Sequence, residues 1–187
     1  MARGEKTTRI CFLDIETTGV EADVAIIMGI GILEENGRFT FIQVNKPEEE
    51  KAKLSQALKI LSRYDVIFTW RGRDFDIPFI VTRALKHGLD PAPLYEAIHL
   101  DLAEFTRHHL RLSRNDLYNV ARFLGIKKDI AIQGKDMPLA YIETLSKPKR
   151  KPWRKIKQHC KDDLITLMKV YGRLKPLLRR LKPELAL

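Results

Sequence analysis

Asp14 and Glu16 stand two residues apart, directly after the apolar run "RICFL". A strand there aims both carboxylates at one face of a sheet, because side chains alternate along a strand. Two carboxylates side by side on a central strand repel each other unless a cation lies between them, and a divalent metal ion is an efficient partner for buried negative charge. A second reading stands beside this one, with Glu16 past the strand end in solvent and Asp14 capping the turn "TTG", residues 17 to 19. Further acids fall in "RGRDFDIPF", residues 71 to 79. Asp76 there occupies a strand-to-helix junction, where ligands of open α/β sheets gather, although Asp74 or Asp76 could equally cap a helix.

The third acidic group lies in "KIKQHCKDDLITL", residues 155 to 167. At about 100° per residue, Ile156, Cys160, Leu164, Leu167, Tyr171, Leu174 and Leu178 form one stripe of a helix, the face that must pack on a sheet. With His159 set at zero, the stripe centres near roughly +95°, Asp163 falls at about +40° and Asp162 at about −60°. Asp163 therefore borders the buried face and pairs with His159 at i, i+4. Asp162 points away, as a solvated partner for a nearby lysine.

These groups need a scaffold, and the patterning supplies one. "RICFLDIE" reads as a buried strand, and "VAIIMGIGILEENGRFTFIQV" as two more joined at Asn36-Gly37, a strong hairpin signal. "PEEEKAKLSQALKILSRY" opens with proline and acids, which suit a helix start, and "DVIFTW" is a fourth strand. A helix over "IPFIVTRALKHG", a short strand at "AIHLDL" and a helix over "RNDLYNVARFLGI" follow. Lys127 to Lys151 reads as an irregular loop, and a last helix runs from near Trp153 to about Leu181. An antiparallel meander followed by βαβ alternation predicts a mixed five-stranded sheet covered by helices, an α/β fold. Asp101 is expected on a strand near the middle of that sheet, supporting the site or capping a helix.

The 187 residues fit one domain, 1–187. The chain carries 34 Lys+Arg against 24 Asp+Glu, a net +10 that favours polyanionic partners such as nucleic acid. High charge density with few amide side chains also suits a thermophilic source, although that leaves the excess of positive charge unexplained. Cys11 and Cys160 read as buried free thiols of a reducing cytosol. No apolar run is long enough for a membrane span and the amino terminus lacks a signal peptide, so a cytoplasmic protein away from membranes is expected. His99, His108 and His109 lack zinc-site spacing and read as structural or surface groups.

Taken together and in order, "LDIETTG", "RGRDFDIPF" and "HCKDD" resemble the DEDD family of 3'-5' exonucleases with the ribonuclease H-like fold, over nearly the whole chain. The resemblance implies that Asp14, Glu16, Asp76 and Asp163 hold two Mg²⁺ or Mn²⁺ ions. Two ions roughly 3.5–4 Å apart can generate a hydroxide and stabilise a leaving alkoxide in an in-line phosphodiester hydrolysis. It also implies that Thr17, Thr18 and Gly19 lie beside the terminal nucleotide. The chain departs from the family twice. Its last motif is His-x-x-x-Asp, where members carry Tyr-x-x-x-Asp or His-x-x-x-x-Asp, so His159 stands in the tyrosine's place, where an imidazole can orient or deprotonate the attacking water. Arg71 stands where asparagine is common before the glycine, and a guanidinium there can grip a phosphate.

Substrate contacts are further expected from Arg73 and Phe75 and from the basic run "KPKRKPWRKIK", residues 147 to 157, in which Lys157 neutralises phosphate and Trp153 either stacks on an unpaired base or packs into the core. The expected substrate is a single-stranded 3' end, with DNA favoured over RNA. The alternatives are an exoribonuclease on the same site and a nucleic-acid-binding module that keeps the fold without turnover. The leucine-rich "LKPLLRRLKPELAL" leaves room for a homo-oligomer surface.

Overall fold

The computed structural model describes residues 8–127, 141–142 and 150–185. The expected loop between Lys127 and Lys151 lies almost wholly outside these residues, as does the part of the basic run before Arg150. Five strands form one mixed sheet in the order β3-β2-β1-β4-β5. The strands β1 (Ile10–Thr17), β2 (Ile27–Glu34) and β3 (Phe39–Gln43) make the expected antiparallel meander. Gly37 sits at φ 88° in the β2–β3 turn, a left-handed conformation that glycine adopts without a Cβ penalty. β4 (Val66–Thr69) lies parallel to β1, and β5 (Ile98–Asp101) parallel to β4.

Alternation along β1 divides the core into two layers. Cys11, Leu13 and Ile15 face α1 (Glu50–Leu61) and α2 (Asp76–Lys86), meeting Leu54, Leu58, Ile77 and Ile80. Ile10 and Phe12 face the other way, towards α3 (Leu102–His109), α4 (Leu117–Phe123) and α5 (Arg150–Leu181). On α5 every residue of the expected stripe is buried, from Ile156 to Leu178. Phe12, Phe68 and Tyr171 pack ring on ring, with centroids 4.6–5.5 Å apart, and anchor α5 across β1 and β4. Leu174, Leu178 and Leu185 are buried too, so three of the leucines in the carboxy-terminal segment belong to the core, with Leu181 left exposed.

Three details differ from expectation. Helix α3 lies outside the expected elements, because its 8 residues span too short a window for a periodic pattern to stand out, and its start is set by Asp101, whose carboxylate accepts from the amides of Ala103 and Glu104. Asp101 ends an edge strand and does not lie in the middle of the sheet. Strand β2 begins at Ile27, and Val24 is exposed in the preceding loop. That loop is held by Glu50 at the start of α1. Its buried carboxylate accepts from Ile27 N at 2.8 Å and pairs with Arg83 and His87 of α2, while Arg83 also donates to Ala22 O.

Candidate active site

The carboxylates meet at the carboxyl end of β1. Asp14 and Glu16 continue the Phe12 face and so point towards α5. Their partners on β2 are Gly31 and Gly29. A Cβ on Gly31 would overlap Cys160 Sγ and Leu164 Cδ1, and one on Gly29 would overlap the Phe41 ring. The missing side chain at Gly31 lets α5 sit directly on the sheet beside the two acids.

Asp76 arrives from the other direction as the first residue of α2. The parallel pairing of β1 with β4 ends at Phe12 and Phe68, which leaves Ile15 N outside the ladder on that side. Asp76 Oδ1 accepts this amide at 3.0 Å. The contact fixes a buried carboxylate beside the strand that carries Asp14 and Glu16. The cap position before α2 is Phe75, whose side chain makes no cap hydrogen bond, so Asp74 does not cap this helix. Asp163 comes from α5, where His159 bridges it to the strand: Nδ1 lies 3.8 Å from Asp163 Oδ1 and Nε2 lies 4.0 Å from Glu16 Oε1. Asp162 turns outward as expected, but its partner is Gln158 at 2.7 Å and not a lysine.

The charges of the other three acids all act on Glu16. Burial pushes Glu16 well above the usual carboxylate range, and the charges of Asp14, Asp163 and Asp76 push it further. Asp76 is pushed up to about 7 by burial, opposed by the bonds from Ile15 N and its own amide, with Asp101 adding a further upward push. Glu16 Oε1 is buried and has no hydrogen-bond partner. Asp14, Glu16 and Cys160 each bring one potential ligand atom within 4.8 Å of the others. An orphaned carboxylate oxygen ringed by carboxylates is costly as it stands, and a divalent cation satisfies both the charge and the open acceptor. The residues present therefore fit a metal centre.

A cavity of about 520 Å³ opens over this cluster, lined by Asp14, Glu16, Thr17, Gly19, Arg71, Phe75, Asp76 and His159 among the expected residues. Val20 and Trp70 line it as well, and sequence reasoning did not single them out. From the sequence Cys160 is only a core thiol. The one sequence signal for its proximity to the site is its place next to His159.

Arg71 enters the cavity from a strained turn, with φ at 61° in the left-handed region. Asp101 holds that turn, accepting from Arg71 N at 3.0 Å and Arg73 N at 3.1 Å. Other expected contacts are engaged elsewhere. Thr18 Oγ1 accepts from Ile26 N at 3.0 Å and staples the loop, while Thr17 Oγ1 donates to Gly19 O at 2.7 Å. Arg73 pairs with Glu104 at 3.0 Å and lines a neighbouring cavity of about 170 Å³ that also includes Arg71. Trp153 packs edge-on against Tyr141 in a small cluster with Met28 and Ile156. Lys157 is exposed on α5, and neither it nor Trp153 lines the main cavity. His99 and His108 bond to backbone carbonyls, and His109 lies against Phe105.

Comparison with known proteins agrees with this fold. A family model described as the RNase H superfamily matches residues 11–175. A DNA polymerase of Methanocaldococcus jannaschii is 27% identical over 122 residues, which are 51% of this chain and 8% of that protein. DNA polymerase 1 of Sulfolobus acidocaldarius is 35% identical over 75 residues, 34% of this chain and 9% of that protein. The family B DNA polymerase of the hyperthermophilic archaeon Pyrobaculum calidifontis superposes with a TM-score of 0.80 over 93% of this chain and 25% of that one, at 15% identity. The chain thus spans less than a tenth of the length of either sequence relative.

Proposed function

The chain belongs to the RNase H superfamily, and from that premise we propose that it is a metal-dependent 3'-5' exonuclease that releases nucleoside monophosphates from single-stranded DNA. The observation that carries this reading is the buried, unpartnered Glu16 Oε1 under the influence of Asp14, Asp76 and Asp163. Two Mg²⁺ or Mn²⁺ ions on these four carboxylates would polarise the scissile phosphate and activate water at neutral pH.

The chain's own groups then divide the work. Asp76, held by Ile15 N, keeps α2 and β1 in register at the site. His159, 14% exposed and between Glu16 and Asp163, is placed to orient the attacking water and take its proton. Arg71 reaches the cavity as a cation for the phosphate. Val20, Trp70 and Phe75 give an apolar wall against which a terminal base can lie without being read. The relatives are DNA polymerases by name, which favours a DNA strand, and the order of the three acidic segments favours attack from the 3' end. The archaeal relatives and the high charge density favour a thermophilic source.

The test is a product ladder from matched 5'-labelled single-stranded DNA and RNA, incubated with Mg²⁺, Mn²⁺ or EDTA. A metal-dependent ladder that shortens from the 3' end is expected, faster on DNA and abolished in Asp14→Ala with binding largely kept. A faster RNA ladder would reassign the polymer, and binding without any ladder would reduce the protein to a grip on nucleic acid.

A further inference from the structure

Cys160 is an unusual companion for a set of carboxylates. Hard cations such as Mg²⁺ take oxygen ligands, whereas thiolate selects softer ions, of which Zn²⁺ is borderline and Cd²⁺ clearly thiophilic. The thiol is brought there by the seat of α5 on Gly31, the β2 partner of Asp14. Its Sγ falls within 4.8 Å of ligand oxygens of Asp14 and Glu16. A second observation is independent of the cysteine: Glu16, whose ligand oxygen belongs to this cluster, has its Oε1 buried without a hydrogen-bond partner. The His159 imidazole stands 4.0 Å from that oxygen, at the border of the cluster. A sulfur donor among carboxylate oxygens, all within 4.8 Å of one another, makes a set suited to a borderline or thiophilic ion.

We propose that Asp14, Glu16 and Cys160 form a site for a thiophilic divalent ion, Zn²⁺ or Cd²⁺, which competes there with the hard ion of the hydrolytic reaction. The competition rests on the exonuclease reading, while binding of the ion itself does not. On binding, the Sγ–H bond breaks, an Sγ–metal bond forms and the proton leaves to solvent.

The purified chain, freed of metal and without nucleic acid, would be titrated with Cd²⁺ while its ultraviolet thiolate-to-cadmium charge-transfer band is followed. The band is expected to saturate at one equivalent and to be absent in Cys160→Ser and Cys160→Ala, with circular dichroism confirming the fold of whichever variant is used. Cd²⁺ affinity should fall by about tenfold or more in Glu16→Gln. A wild-type titration without a band, a band that persists without Cys160, or unchanged affinity in Glu16→Gln would overturn the proposal. The readout does not involve hydrolysis, so an inactive protein that shows the band keeps the site and loses the exonuclease reading, and an active one without the band does the reverse.

Discussion

His159 and Arg71 are the residues in which this chain departs from the family it resembles, and both enter the cavity. His159 stands 3.8 Å from Asp163 and 4.0 Å from Glu16, beyond direct hydrogen bonding but close enough for one water to join them. His159→Ala should lower kcat by about 10²–10⁴ if the imidazole takes the proton of water, and the pH–rate profile should change shape. A near-normal rate with an unchanged profile would leave water activation to the metals. Arg71 pays a strain cost for its position. Left-handed geometry costs a non-glycine residue about 1–2 kcal/mol, and glycine gives back roughly 0.5–1 kcal/mol in chain entropy. Arg71→Gly should therefore raise stability by on the order of 0.5 kcal/mol in urea unfolding while weakening substrate binding, a split that a purely structural arginine would not produce.

At the level of elements, the site depends on how closely α5 approaches β2. Gly31 faces Cys160 and Leu164 with no room for a Cβ, so Gly31→Val forces the helix away from the sheet. Overpacking of this kind costs about 1–3 kcal/mol, and the displacement separates Asp163 and His159 from Asp14 and Glu16. Calorimetry should show a lowered Tm together with weaker Mn²⁺ binding; a lowered Tm with normal Mn²⁺ affinity would mean that the helix position is not what assembles the carboxylates. The turn at residues 71 to 73 is a second such element, because Asp101 spends its carboxylate on Arg71 N, Arg73 N and the cap of α3 at once. One edge-strand residue thus ties the floor of the cavity to the helix behind it.

Across the whole molecule, the buried acids oppose folding wherever they must ionise without a cation. Glu16 and Asp76 hold protons in the folded chain that the unfolded chain releases, so their contribution to stability is full below the unfolded carboxylate range and is lost as pH rises through about 7 for Asp76. Glu50 works in the opposite sense, since Arg83, His87 and Ile27 N hold it below the usual range and its contribution is lost on acidification. In EDTA, Glu16→Gln should be more stable than wild type by about 1 kcal/mol or more at pH 8, and the gap should close towards pH 5. Mg²⁺ or Mn²⁺ should raise the wild-type Tm more at pH 8 than at pH 5 and should do little for Glu16→Gln. Thermal melts over this grid would reject the account if the gap had the opposite slope. Among the described residues no helix is long and apolar enough to cross a membrane.

Periodicity alone determined much of this protein. Alternation put Asp14 and Glu16 on one strand face, the 3.6-residue repeat put Asp163 at the margin of the α5 stripe, and Asn36-Gly37 announced the meander. These are local rules, in which a residue's direction follows from its neighbours in the chain. What the tertiary structure decided were matters of long-range approach. Asp76 came to lie beside β1 at the cavity because the end of the β1–β4 ladder left Ile15 N to be accepted. Trp153 went to Tyr141, and Arg73 to Glu104, according to which surface lay opposite each. Cys160 joined the carboxylates because Gly31, 129 positions earlier in the chain, has no side chain to keep it out. Such contacts depend on the packing of two elements against each other, and no repeat within either one encodes them.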